Sequence, residues 1–261
     1  MTLALSSEQC RALLDLRVAH PSLRFVVVGA AALGHHLPLP RSTADIDLAM
    51  AVAPEDLDAT LDRCGWQRDP RMLQRWRSPS GAVVDVLPVD DALLAAGELR
   101  FGGGDFTMSL VGFDLAMRDT VQVAIPASES CVEVASLAAL VVLKIVAWID
   151  RPYDRTKDLA DLAHVLTHAL PHDDERRWDP DHPVYLSGVE HAAQSAFFVG
   201  TEVARIVEAA HREILDRFFA RLDARDGIAF AMMLRETGDH GDDGEERLRL
   251  RLDALRAGLA R

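Results

Sequence analysis

RFVVVGAAALGHHLPLPRSTADIDLAM, residues 24–50, is the stretch on which the reading of this chain turns. An apolar run at 25–28 leads to a small-residue turn at Gly29-Ala30, and about fifteen residues later come Asp45 and Asp47, one on each side of Ile46. Successive side chains on a strand point to opposite faces. A strand here therefore sets Asp45 and Asp47 side by side and turns Ile46 and Leu48 into a core. Adjacent carboxylates repel and raise one another's pKa unless a cation sits between them. A hard divalent ion, magnesium first and manganese as its substitute, meets that need and keeps positions open for phosphate oxygens. Upstream, residues 26–29 followed by alanines predict a strand, a turn and a helix over about 30–36. Glycine lets the backbone approach a phosphate, and helix N-terminal amides attract anions. Gly29 and Ala30 are thus candidates for holding phosphates, and Asp45 and Asp47 for holding the metal.

An Asp-x-Asp also arises from solvent-facing alternation, so context decides. Here the order of apolar strand, Gly-small turn, helix and RSTADIDL at 41–48 resembles the nucleotidyltransferase superfamily, and more narrowly the AbiEii/MenT-type toxins of bacterial toxin–antitoxin and phage-defence systems. Arg41, Ser42 and Thr43 stand directly before the acidic pair. A guanidinium and two hydroxyls there suit phosphate oxygens, with turn chemistry as the other reading.

Two strand-like runs, 72–77 and 82–87, flank Ser78-Pro79-Ser80-Gly81 and predict a hairpin. Asp85 stands alone among Val83, Val84, Val86 and Leu87. A carboxylate in an apolar strand is costly to bury unless paired or metal-bound, which makes Asp85 the candidate third acid; an edge-strand aspartate facing water is the alternative. The resemblance implies the first role, a carboxylate on a neighbouring strand that completes the metal site.

Farther on, LAALVVLKIVAWI at 137–149 predicts a buried helix capped by Ser136, with Lys144 its one charge. That lysine must snorkel to the surface or find anions. Pro152 ends the helix and Asp154 is placed to cap the next. The segment that follows, Arg155-Thr156-Lys157-Asp158-Leu159-Ala160-Asp161-Leu162, is the second stretch resembling the AbiEii/MenT proteins. The resemblance implies that Lys144 and Asp158 are site residues.

What it implies for chemistry is metal-assisted nucleotidyl transfer from an NTP. Asp45 and Asp47 hold the metal on the triphosphate, Asp85 joins them and orients the acceptor hydroxyl, and pyrophosphate leaves. Lys144 neutralises charge on the phosphates, so Asp47, Asp85, Lys144 and Asp158 form the catalytic set. The implied acceptor is a tRNA 3′ end and the implied partner a cognate antitoxin protein. The chain departs from the family's Gly-Gly or Gly-Ser turn at Ala30, which loses a hydroxyl contact and bears on nucleotide affinity. A small hydroxylated acceptor such as a cationic antibiotic, or NTP binding without turnover in a regulator, are the rival readings.

With 261 residues, 49% hydrophobic and 26% charged, the chain suits one large or two modest globular domains. The expected class is α/β (α+β): a polymerase-beta-like mixed-sheet nucleotidyltransferase core over 1–126, then a mostly helical domain over 127–261. No stretch reaches the roughly 18 apolar residues of a membrane span, and the N-terminus lacks a basic segment before an apolar one, so a cytoplasmic protein without a membrane partner is expected. Cys10, Cys64 and Cys131 are widely separated and read as small buried hydrophobes. A net charge of −13 excludes broad electrostatic binding of nucleic acid unless basic residues cluster locally, as at Arg68-Arg71-Arg75-Arg77 or Arg151-Arg155-Lys157. The glycines at 102–104 read as a turn. His35 and His36 could contact a nucleotide, but a histidine pair in a loop reads first as structural or solvated; His164, His168 and His172 read as structural too, since no glutamate base or fourth ligand is spaced for zinc. Residues 171–183 read as an exposed loop or linker, and apolar spacing predicts one amphipathic helix over 200–224.

Overall fold

In a computed structural model, residues 3–40, 43–101, 106–238, 241 and 243–261 are described. The chain divides into two compact units, Met1–Leu140 and Val141–Arg261. The first is built on strands β1 (Phe25–Val28), β2 (Asp45–Met50), β3 (Gln67–Arg68), β4 (Arg75–Arg77), β5 (Val83–Pro88), β6 (Glu98–Phe101), β7 (Phe106–Ser109), β8 (Thr120–Ala124) and β9 (Cys131–Ala135). Its helices are α1 (Ser7–Ala19), α2 (Gly29–His36), α3 (Pro54–Asp62), α4 (Asp91–Ala96) and α5 (Phe113–Arg118), while α6 (Leu137–Asp150) runs from this unit into the next. The second unit continues with α7 (Thr156–His168), α8 (Pro183–Leu186), α9 (Gln194–Ile206), α10 (Ala209–Leu222), α11 (Ile228–Glu236) and α12 (Gly244–Leu259). A mixed α/β core followed by helical sequence is thus the fold.

Seven strands form one mixed sheet in the order β3-β4-β5-β2-β1-β9-β8, and β6 and β7 form a two-stranded sheet. The β1–β2 pairing is antiparallel, while β2–β5 and β1–β9 are parallel. The sheet carries past the change of composition at Pro126, because β9 inserts between β1 and β8. Burial explains this arrangement. All four residues of β1 are buried, as a central strand covered on both faces requires, whereas β2 and β5 alternate at their starts. The predicted hairpin forms as β4–β5, with Trp76 opposite Val84. Ser6 caps α1 in a capping box with Gln9, and Ser136 accepts from the Ala139 N–H at 3.1 Å.

Helix packing in the second unit depends on a glycine pair. A Cβ added to Gly200 would lie 2.4 Å from the Leu255 carbonyl oxygen, and one added to Gly258 would lie 2.3 Å from that of Phe197. α9 and α12 therefore meet backbone to backbone. The helix expected over 200–224 is two helices: Val207 is extended (φ −79°, ψ 143°), and the Glu208 N–H donates to His211 Nδ1 at 3.2 Å in a capping box that starts α10. Nor does Asp154 cap α7. The helix begins one residue later than expected, with Arg155 at the N-cap and no side-chain cap. Residues 171–183 are largely exposed but pinned by Arg177, whose buried guanidinium donates to the carbonyls of Leu170, Pro171 and His191 and to Gln194 and Ser195. The segment is a tied loop inside one unit and not a linker. The turn expected at residues 102–104 lies outside the described residues.

Gly258→Ala forces a methyl against the Phe197 carbonyl and is expected to destabilise the protein by about 2 kcal/mol, as overpacking does. Urea denaturation should show an earlier midpoint; an unchanged one would refute the close crossing.

Candidate active site

Register places the acids. Asp47 is the Cα partner of Val28 on one side and of Asp85 on the other. Paired residues of neighbouring strands project to one face, and Asp45 lies two residues from Asp47, so Asp45, Asp47 and Asp85 share a face of the sheet. Ile46, Leu48, Val84 and Val86 fill the opposite one, each fully buried.

A fourth residue stands with them. Arg75, the Cα partner of Asp85 on β4, donates from Nε to Asp85 Oδ1 at 2.8 Å and from Nη2 to Asp85 Oδ2 at 2.9 Å. Its Nη2 also reaches Asp45 Oδ2 at 2.9 Å. These bonds, that to Asp85 foremost, hold the guanidinium pKa above its ordinary value. The Thr43 hydroxyl donates to Asp45 Oδ1 at 2.9 Å. Asp45 and Asp85 thus share one guanidinium, with Asp47 on the same face of the sheet.

In kind, these hard oxygen donors on one face suit a magnesium ion. In arrangement, Asp45 and Asp85 are turned to Arg75, and among the described residues no group of three His, Cys, Asp or Glu is gathered to hold a metal.

Gly29 opens α2 with φ +67°, a conformation that favours glycine, and a Cβ there would lie 2.0 Å from Asp47 Oδ2. The space beside its backbone belongs to the Asp47 carboxylate. Ala30 follows in the first turn of α2. Of the three residues proposed to meet phosphate before the acidic pair, Thr43 is bonded to Asp45, while Arg41 and Ser42 lie outside the described residues. His36 is tied to the Ala135 carbonyl at 2.7 Å, and burial lowers its pKa.

In the second unit, Lys144 does not snorkel. It lies buried on α6 and donates to two carboxylates on α7, Asp161 Oδ2 at 2.6 Å and Asp158 Oδ1 at 3.2 Å. Asp158 Oδ2 also meets Arg155 Nε at 2.8 Å. Asp158 and Asp161 are three apart on a helix and so share a face.

Sequence reasoning missed Arg75 and Asp161. Arg75 sits in a run of arginines that reads as a solvated surface, and only counting back from the hairpin turn sets it opposite Asp85. Asp161 carried a signal in its spacing from Asp158, but that spacing also occurs on any solvated helix face.

The chain is similar to a family described as nucleotidyl transferase AbiEii toxin, type IV TA system, whose model matches residues 11–249. Among solved structures it is similar to an antigenic nucleotidyltransferase-like protein from Paracoccidioides brasiliensis, at 18% identity over 60% of this chain and 75% of that one, with a TM-score of 0.40. It is also similar to the antibiotic-resistance factor ANT(2'')-Ia, at 14% identity over 83% of this chain and 98% of that one, again with a TM-score of 0.40. Comparison with curated proteins gives no match.

The two partners of Lys144 differ in consequence. Asp161→Ala removes the nearer carboxylate from a buried lysine and is expected to cost about 3 kcal/mol. Asp158→Ala should cost less, because Lys144 keeps Asp161 and the half-exposed Arg155 turns to water. Equal losses in urea denaturation would contradict this order.

Proposed function

Since the chain belongs to the nucleotidyl transferase AbiEii toxin family of type IV toxin–antitoxin systems, we propose that it transfers a nucleoside monophosphate from an NTP to an acceptor hydroxyl in a metal-dependent reaction. The observation that carries this reading is the face shared by Asp45, Asp47 and Asp85. Magnesium, or manganese in its place, held by those three carboxylates would supply Lewis-acid polarisation of the triphosphate oxygens. Asp85, opposite Asp47 in the register, orients the acceptor hydroxyl. The bond formed is from that oxygen to the α-phosphorus, and the bond broken releases pyrophosphate. Gly29 leaves the Asp47 carboxylate its place at the start of α2, and Ala30, Arg41, Ser42 and Thr43 are the residues assigned to the phosphates. In the second unit Lys144, held by Asp158 and Asp161, is the cation assigned to phosphate charge.

The proposed acceptor is a tRNA 3′ end, met in the cytoplasm, where a cognate antitoxin protein restrains the enzyme. No helix among the described residues is long and apolar enough to cross a membrane. The net charge of −13 supports contact with an end over contact along a backbone. It equally supports a cationic small acceptor, the second reading.

Incubation with magnesium, each α-labelled NTP and total tRNA is expected to label tRNA, and Asp47→Ala to lower labelling by about a hundredfold or more. Equal labelling by both proteins would sink the assignment. Labelling of an aminoglycoside but not of tRNA would favour the second reading, and NTP binding without pyrophosphate release under any acceptor would favour a regulator.

A further inference from the structure

We propose that Arg75 is a resident counter-cation whose place and that of a divalent metal exclude one another: the guanidinium holds Asp45 and Asp85 in the metal-free protein and leaves them when metal binds. The proposal rests on reading this face as the metal site, and it follows from how the oxygens are engaged. Both oxygens of Asp85 accept from Arg75, at 2.8 and 2.9 Å. Of the two on Asp45, one accepts from Arg75 at 2.9 Å and the other from Thr43, also at 2.9 Å. A side-on fork of this kind aims the guanidinium along the lone pairs that a metal would use.

Magnesium demands near-octahedral oxygens at about 2.0–2.1 Å, and a fixed positive charge one hydrogen bond from those oxygens repels it. Simple blockage would make the site useless, but Arg75 is placed to move. It lies on a three-residue strand whose outer neighbour, β3, has only two residues, and its side chain is 27% exposed. Once displaced, a planar guanidinium beside the site matches phosphate oxygens in two-point geometry, so Arg75 would pass from a carboxylate ligand to a phosphate ligand as the loaded metal arrives.

The experiment is Mn2+ binding to the full chain without nucleotide, read by electron paramagnetic resonance of the free ion, in wild type, Arg75→Met and Arg75→Lys. The expected result is at least tenfold tighter binding in Arg75→Met, affinity near wild type in Arg75→Lys, and loss of the gain when Asp85→Asn is added to Arg75→Met. The thermal midpoint of Arg75→Met should rise with Mn2+ more than that of wild type does. Equal or weaker Mn2+ binding in Arg75→Met would overturn the exclusion and make Arg75 a fixed positioning residue that binds together with the metal. Should Arg75→Met fail to fold without metal, recovery of its helical circular dichroism on adding Mn2+ supports the proposal, and no recovery overturns it. Tighter Mn2+ binding with no nucleotidyl transfer defeats the functional reading and leaves the exclusion standing; transfer with equal affinities does the reverse.

Discussion

Mutual repulsion of Asp45, Asp47 and Asp85 is the constraint that the first unit is built to withstand. Parallel pairing of β2 with β5 sets Asp47 opposite Asp85 with no freedom to separate, because the other face of both strands is locked in the core by Ile46, Leu48, Val84 and Val86. A one-residue slip would relieve the charges only by turning that apolar set out to water. The antiparallel neighbour β1 then fixes the start of α2, where only glycine leaves room for the Asp47 carboxylate. Much of the sheet order can be read as a frame that keeps three acids together, with Arg75 bonded to two of them.

The second unit solves a related problem differently. Two carboxylates one helical turn apart on α7 bracket Lys144, and all three are buried, with Arg155 completing the set from the half-exposed side. Burial makes such an arrangement hard to alter, since removing Lys144 or Asp161 unbalances charge away from water. The Arg75 cluster is more open, with side chains of Arg75 and Asp45 roughly a third exposed. Water can stabilise a guanidinium leaving the second cluster but not an ammonium leaving the first. The two sites therefore differ in kind: the lysine is set in position, while the arginine can exchange.

Period-two alternation made the pairing of Asp45 with Asp47 legible from sequence alone, because strand geometry leaves no choice about which side chains of one strand go together; that Asp85 joins them was implied by the family resemblance. The apolar helix around Lys144 was equally plain, and so was its need for anions, though the anions are aspartates of the chain itself. Information that lives in register was not legible. Arg75 becomes a partner of Asp85 only when the hairpin is closed around residues 78–81, and in linear sequence it is one arginine of four. Val207 continues the apolar spacing that runs through α9 into α10, so hydrophobicity alone predicts one helix; the break comes from the reciprocal cap of Glu208 and His211. Arg177 looks like surface in a polar, proline-bounded segment, and only its neutral acceptors in three dimensions explain its burial.

The same distinction bears on how an acidic protein meets an anionic acceptor. Linear clustering offered two groups of basic residues for phosphate, but engagement thins both. Arg68 pairs with Asp58 and lies over the Trp76 ring, Arg75 is held by Asp45 and Asp85, and Arg155 is held by Asp158. With a net charge of −13, long-range steering of a nucleic acid is unfavourable. An acceptor recognised at one terminal hydroxyl asks least of such a surface. An arginine released by the metal would add positive charge where and when the phosphates arrive, so that the acidic face discourages nucleic acid until it is loaded.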